Sequence, residues 1–173
     1  MVLNIHSDAS YASERGAKIC AAGHYFLGWV PGDNAPIRLN GAIYALCNIM
    51  KFIASSAAEA ELGSLFMNAK EGCIIRLTLK ELGHPQPPTP MHCNNATAAG
   101  IANGSVKRQW SRAMEMRYFY ICDQVKNREF DVIWHPGKEK MWNYVSKNHD
   151  TRHHQNVRPF YLHKQHSQGE CCL

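Results

Sequence analysis

The sequence lacks the features that mark several large classes of protein. Its seven cysteines are scattered without a C-x-x-C pair, which argues against a disulfide framework and a classical zinc site. We therefore expect reduced thiols in an intracellular protein. No apolar run approaches the roughly 18 residues that a membrane span needs. The first eight residues also lack the basic start and the long apolar stretch of a signal peptide.

Charged residues are scarce as well, at 19%, whereas hydrophobic residues make up 45%. This balance is typical of a globular protein rather than a disordered one. The 173 residues suffice for one domain with a substantial core. The formal net charge of +5 fits an anionic partner such as a nucleic acid, but many ordinary domains are equally basic. Composition alone therefore leaves the partner open.

The hydrophobic pattern predicts three strands, a long helix, a strand, further helices, a strand and a short helix. The predicted strands cover about 2–8, 19–30, 37–44, 91–93 and 130–134. The predicted helices cover about 58–83, 96–103, 106–125 and 139–147. Three strands followed by alternating elements suggest an α/β protein in which helices flank a mixed sheet.

Polar side chains suited to metal chemistry fall at the boundaries of these elements. Asp8 ends the first strand, and Glu59 and Glu61 lie in the first helix. Asn94 ends the fourth strand, and Asn143 lies in the last short helix. A nuclease that uses two Mg²⁺ ions needs several carboxylates that converge on ions about 3.5–4 Å apart. The positions suit such a site, although two of the five side chains are amides.

Four short blocks in this order resemble the ribonuclease H region of copia-type retrotransposons. They are S-D-A-S-Y at 7–11, A-E-A-E-L at 58–62, H-C-N-N-A-T-A at 92–98 and W-H-P-G at 134–137. Each block alone is common, but their joint order and spacing are far more specific. The resemblance implies a ribonuclease H-like fold with a five-stranded mixed sheet flanked by helices.

The resemblance also implies a division of the chain into a domain and a tail. The ribonuclease H-like domain is expected over 1–147, and a basic, histidine-rich tail over 148–173. We predict that the tail is partly disordered, because periodicity is lost there. A metal-binding tract is the alternative, but no ligand spacing fixes a zinc geometry.

The family pattern implies a role for each polar residue of the site. Asp8 and Glu61 correspond to metal ligands, while Asn94 and Asn143 stand where the family carries aspartate. Helical geometry alone does not choose between Glu61 and Glu59, since both flank the apolar stripe. The implied cofactor is Mg²⁺ or Mn²⁺, bound weakly if at all. Two of the four negative charges that would bind the metal ions are thus missing, which predicts that cleavage is severely impaired or absent.

Two functions follow from the resemblance. The first is a nucleic-acid-binding domain of a copia-type Pol polyprotein that binds an RNA–DNA hybrid but cleaves it poorly. The alternative is an active Mg²⁺-dependent endonuclease that degrades the RNA strand of such hybrids during reverse transcription. A decayed genomic copy without a selected role is a third reading. For the first two functions the implied partner is the reverse transcriptase domain of the same polyprotein, in a cytoplasmic virus-like particle or the nucleus, with no membrane.

Further candidates lie outside the metal ligands. Lys107, Arg108, Arg112 and Arg117 form a basic group that could contact a phosphate backbone, with affinity that falls as salt rises, or could be a solvated helix face. His135 lies where ribonuclease H enzymes carry a loop that helps to release product or position water, which makes it a candidate catalytic residue. A plain turn is an equally good reading of that block.

Simpler roles also exist for the site residues. Asp8 could be a turn residue at the end of a strand, and Glu59 and Glu61 could be solvated helix residues. Asn94 or Asn95 could cap the helix that follows, which is a common role of asparagine. The structure decides between these roles by showing which side chains meet.

Overall fold

The computed structural model describes residues 1–14, 18–28, 41–105, 112–136 and 150–161. Within these ranges it contains five strands and four helices. The strands are β1 (Val2–Glu14), β2 (Lys18–Gly28), β3 (Tyr44–Ile49), β4 (Thr89–Cys93) and β5 (Phe130–Trp134). The helices are α1 (Ala57–Glu81), α2 (Ala96–Ala102), α3 (Arg112–Lys126) and α4 (Thr151–Tyr161).

The strands form one mixed sheet in the order β3-β2-β1-β4-β5. The first three pair antiparallel, and β1, β4 and β5 pair parallel. Helices α1, α2 and α3 contact the sheet and one another. The prediction of a five-stranded mixed sheet flanked by helices is therefore confirmed.

Two strands differ from their predicted extents because neither has a clear alternation of apolar and polar residues. β1 runs to Glu14 rather than ending near Asp8, because polar residues on both of its faces are buried and obscure the alternation. Of the third predicted strand, over 37–44, residues 37–40 lie outside the described part of the chain, residues 41–43 are not in a strand, and β3 spans Tyr44–Ile49. β3 is an edge strand in which only Leu46 is buried, so its sequence carries little alternation.

The helices agree with the sequence pattern except near the C-terminus. α1 and α2 lie where they were predicted, and α3 begins at Arg112. The predicted helix over 139–147 falls outside the described residues. α4 lies within the segment predicted as a tail, where the sequence periodicity indicated no helix.

Local hydrogen bonds fix both ends of α1. The Ser56 side chain caps the helix by accepting from the backbone N–H of Glu59 at 3.2 Å. The Glu59 carboxylate reaches back and accepts from the N–H and the hydroxyl of Ser55, at 2.6 and 2.8 Å. At the other end, Gly83 adopts a φ of 85°, a conformation that glycine enters without a steric penalty.

A buried polar network anchors the first half of α1 to the sheet. Asn68 donates to the Ser7 hydroxyl and to the carbonyl of Ala22, both at 3.0 Å, and accepts from the Tyr25 hydroxyl at 2.6 Å. Ser64 Oγ donates to the backbone carbonyl of Asp8 at 2.7 Å. These bonds fix the height of α1 above β1 and β2.

The second half of α1 is held by close packing and by an arginine. A Cβ at Gly72 would meet Ile5 Cδ1 at 2.8 Å, so glycine permits a close approach of helix and sheet. Arg76 is buried and donates to Thr89 Oγ1 and to the Pro87 carbonyl, both at 2.6 Å. Arg76 also forms an ion pair with Glu129 at 2.8 Å. This half of α1 is thereby tied to the starts of β4 and β5.

Candidate active site

Asp8 is almost fully buried in the middle of β1, at 1% exposure. Ser7 bonds to residues of α1, and successive side chains of a strand point to opposite faces. The Asp8 side chain therefore lies on the face of the sheet that is turned away from α1. A buried carboxylate needs compensating hydrogen bonds or charges, because desolvation of an isolated charge is costly.

Asn94 supplies such a hydrogen bond to Asp8. It follows β4 directly, and its Nδ2 donates to Asp8 Oδ1 at 2.8 Å. An ionised carboxylate only accepts hydrogen bonds, so the amide presents its NH₂ group to Asp8 and turns its oxygen away. The structure thus brings together two of the residues that were predicted to share a site.

Asn95 performs the capping role that the sequence left open between it and Asn94. Its side chain accepts from the backbone N–H of Ala98 at 3.0 Å and begins α2. The two asparagines therefore have different tasks. Asn95 begins the helix, and Asn94 contacts the carboxylate of Asp8.

The structure separates Glu61 from Glu59. Glu59 is engaged with Ser55 at the start of α1, as described above. Glu61 is buried near Cys93, the last residue of β4. Burial, then the charge of Glu61, and less strongly that of Asp8, raise the pKa of the Cys93 thiol to about 12. Glu61, and not Glu59, is therefore one of the two carboxylates whose charge reaches the Cys93 thiol at the end of β4.

A row of four histidines extends this site across the sheet. His24, His6 and His92 lie side by side on β2, β1 and β4, and His135 follows β5. The ring centroids of His6 and His92 are 4.7 Å apart, and those of His6 and His24 are 6.3 Å apart. His92 Nδ1 and His135 Nε2 are 2.8 Å apart, which is a hydrogen bond between the two rings. We call these four residues the histidine row.

Sequence reasoning found only His135 of this row. A signal was present, because His6 and His92 each precede a site residue, Asp8 and Asn94, by two positions. A spacing of two places side chains on the same face of a strand. To predict that these histidines lie side by side, however, the register of β1 with β2 and β4 is needed, and the sequence does not provide it.

Two histidines of this row, His6 and His92, are neutral near pH 7. Burial, followed by the neighbouring ring of His135, lowers the pKa of His92 to about 3. Burial, followed by the rings of His92, His24 and His135, holds the pKa of His6 well below its usual value. His6 and His92 therefore bring no positive charge to this face of the sheet.

The structure describes only part of the predicted basic group. Arg117 stacks on the ring of Phe52, with its guanidinium carbon 4.0 Å from the ring centroid. Arg112 is the first residue of α3, and its side chain lies outside the described part. Lys107 and Arg108 fall outside the described residues, as does the predicted site residue Asn143.

The donors at this site are a poor match for a pair of divalent ions. Two carboxylates, Asp8 and Glu61, are present, and Asn94 directs its N–H groups, not its oxygen, towards Asp8. In the described part of the chain, no three histidine, cysteine, aspartate or glutamate side chains are grouped so as to hold a metal ion. We therefore derive no catalytic step through a metal ion.

Comparison with known proteins rests on structure, since no protein-family model and no curated protein sequence matches this chain. The ribonuclease H1 LC11, isolated from compost by a metagenomic approach, superimposes with a TM-score of 0.55 over 83% of this chain and 91% of its own. The chain has the ribonuclease H fold. The same enzyme in complex with an RNA/DNA hybrid gives a TM-score of 0.53, covering 80% of this chain and 87% of that chain.

A second protein with the ribonuclease H fold is similar over most of its length. The N-terminal RNase H domain of Rv2228c from Mycobacterium tuberculosis gives a TM-score of 0.54 and covers 82% of this chain and 92% of that chain. Sequence identities are only 9% to the free LC11 enzyme, 11% to its complex and 10% to the mycobacterial domain. At such low identities the structural likeness establishes the fold alone, and the activity has to be argued from the site.

None of the helices in the described ranges is both long and apolar enough to span a membrane.

Proposed function

We propose that this chain is the ribonuclease H-like domain of a copia-type retrotransposon Pol polyprotein, and that it binds RNA–DNA hybrids but cleaves them poorly or not at all. The reverse transcriptase domain of the same polyprotein is its proposed partner. The observation that carries the loss of cleavage is the 2.8 Å hydrogen bond from Asn94 Nδ2 to Asp8 Oδ1.

This hydrogen bond opposes metal binding in two ways. The amide brings no negative charge, so a divalent ion at Asp8 would meet less countercharge than in a cluster of carboxylates. To offer its oxygen as a ligand, Asn94 would also have to turn over and give up its bond to Asp8. A hydrogen bond to a charged group contributes about 1.5–3 kcal/mol, which corresponds to about a 10- to 140-fold loss of metal affinity.

Retention of hybrid binding is supported by separate features. A protein of the same fold is known in complex with an RNA/DNA hybrid. The net charge of +5 favours a polyanion, and the basic group of Lys107, Arg108, Arg112 and Arg117 is the proposed contact with the phosphate backbone.

Cleavage of a labelled RNA–DNA hybrid in Mg²⁺ or Mn²⁺ tests the proposal. We compare the natural chain with the double variant Asn94→Asp/Asn143→Asp. We expect cleavage only by the double variant, and we expect Asp8→Asn in that background to abolish it. A matched control is Asn48→Asp/Asn156→Asp, which makes the same charge change at two exposed positions and should stay inactive. Robust cleavage by the natural chain would favour the active endonuclease instead.

Hybrid binding is measured separately by fluorescence anisotropy at several salt concentrations. We expect affinity to fall steeply with salt, and we expect Arg112→Gln/Lys107→Gln to reduce both the affinity and the salt slope. Lys80→Gln, at an exposed position in the last turn of α1, serves as the control. Binding that is absent at low salt would contradict the proposed role in hybrid recognition.

A further inference from the structure

We propose that Cys20 and Cys47 form a redox-sensitive thiol pair, which closes into a reversible disulfide between β2 and β3 on reaction with a low-molecular-weight disulfide. This inference does not depend on the proposed function. It rests on the position, the exposure and the contacts of the two thiols.

The two thiols lie against each other on neighbouring strands. The Sγ atoms of Cys20 and Cys47 are 3.3 Å apart. Cys20 pairs with Ile49, and Cys47 pairs with Ala22, so the two cysteines are diagonal neighbours on one face of the sheet. A disulfide bond is about 2.05 Å long, so the sulfur atoms must approach by little more than about 1 Å.

The unequal exposure of the two thiols sets the order of the reaction. Cys47 is exposed, and Cys20 is buried. The Cys47 thiolate attacks a disulfide RSSR and forms a mixed disulfide, with release of one thiolate RS⁻. Cys20 then loses its proton to solvent and attacks the sulfur of Cys47, with release of the second RS⁻. Both protein thiols are oxidised, and one RSSR is reduced to two RSH.

The other described cysteines have different surroundings. Cys73 contacts the Tyr120 hydroxyl and the Gln124 side chain, both at 3.6 Å. Cys93 contacts the backbone of Asn95, and Cys122 donates to the carbonyl of Ile101. These three provide matched controls for reactivity that depends on a neighbouring thiol.

The diagonal arrangement makes the proposed bond easy to reduce. Diagonal residues of an antiparallel pair have Cα atoms about 7–8 Å apart, whereas disulfides usually join Cα atoms 4.4–6.8 Å apart. β3 must therefore shift towards β2, which it can do because it is the edge strand. Strained and accessible disulfides are the labile ones.

The proposed bond would form on the same face of the sheet as Asp8. Ala22 pairs with Asp8 on one side and with Cys47 on the other, so all three side chains lie on one face.

The test treats the folded, fully reduced chain with oxidised glutathione, followed by alkylation and mass spectrometry. Trypsin cuts after Lys18, Arg38 and Lys51 and so places the two cysteines in the separate peptides 19–38 and 39–51. We expect these peptides to be joined, with the loss of two hydrogens, and to separate again in dithiothreitol. Closure of the loop also predicts a rise in Tm, smaller than the rise of about 6–12 °C from an unstrained bond, because strain in the folded state offsets part of the loop entropy.

Single variants identify the mechanism. In Cys20→Ala, Cys47 should accumulate as the stable glutathione adduct, because no second thiol can displace it. In Cys47→Ser, neither the link nor an adduct of Cys20 should form, and Cys73→Ser should behave as the natural chain. The inference is overturned by a stable glutathione adduct on Cys47 in the natural chain, by dimers joined through Cys47, or by a link that forms only in denaturant.

Discussion

Acid should destabilise this protein through the histidine row. His92 is 1% exposed, and its pKa is lowered to about 3 by burial and by the ring of His135. In the unfolded chain its pKa is about 6.5. Between these two values the unfolded state binds more protons than the folded state, so the free energy of unfolding falls as the pH falls.

The expected loss can be worked out for a single change of pH. Each pKa unit corresponds to about 1.36 kcal/mol, and pH 5 lies about 1.5 units below the unfolded pKa of His92. His92 alone should therefore cost about 2 kcal/mol between pH 7 and pH 5. His6 shifts in the same direction and adds to this loss, and His24 and His135 complete the surroundings of the two rings.

Urea unfolding followed by circular dichroism at pH 7 and pH 5 measures this effect. We expect the natural chain to lose at least about 2 kcal/mol, and His92→Gln to lose about 2 kcal/mol less than the natural chain over the same interval. His84→Gln, at an exposed position, should lose as much as the natural chain. Equal stability of the natural chain at the two pH values would refute the reasoning, as would an unchanged acid response of His92→Gln.

Three further substitutions probe the site and its support. Asn94→Asp should lower the Tm in the presence of a chelator, because a hydrogen bond worth about 1.5–3 kcal/mol is replaced by repulsion between two carboxylates, and Mg²⁺ should restore the Tm. An equal effect of Mg²⁺ on the natural chain in a thermal-shift assay would contradict this. Arg76→Ala should cost about 1–3 kcal/mol in urea unfolding, because it leaves the Thr89 hydroxyl and the Pro87 carbonyl without their donor, while the ion pair with the half-exposed Glu129 adds little. Unchanged stability would show that these hydrogen bonds contribute little. Gly72→Ala should cost about 1–3 kcal/mol by the same assay, since its Cβ would lie 2.8 Å from Ile5; unchanged stability would show that the helix can lift away from the sheet.

The parts of the fold that were predictable are those encoded locally. α1 carries apolar residues at helical spacing, a capping serine at Ser56 and a terminal glycine at Gly83, and all three signals are visible in the sequence. β3 was largely missed because an edge strand that buries only Leu46 has almost no alternating pattern. The helix α4 was missed because its polar sequence resembles a tail.

The candidate site was predictable only as a set of positions. The resemblance brought Asp8, Glu61 and Asn94 together and favoured Glu61 over Glu59. The structure adds that Glu59 has a separate role, since it bonds to Ser55 at the start of α1. The direction of the Asn94 amide likewise follows from its contact with a carboxylate, which no local pattern encodes. The histidine row depends on the pairing of strands that are distant in sequence, which is why it was largely missed.

The register of β1 is specified in an unusual way. Buried polar side chains occupy both faces of this strand: Ser7 faces α1, and His6 and Asp8 face away from it. A slip of one residue would therefore exchange one set of polar groups for another, and hydrophobicity alone would oppose it only weakly. The hydrogen bonds of Ser7 to Asn68 and of Ser64 to the Asp8 carbonyl favour the native register over the slipped one, because a slip would break both. Correct pairing of the central strand thus depends on the docking of α1, so the two should form together during folding.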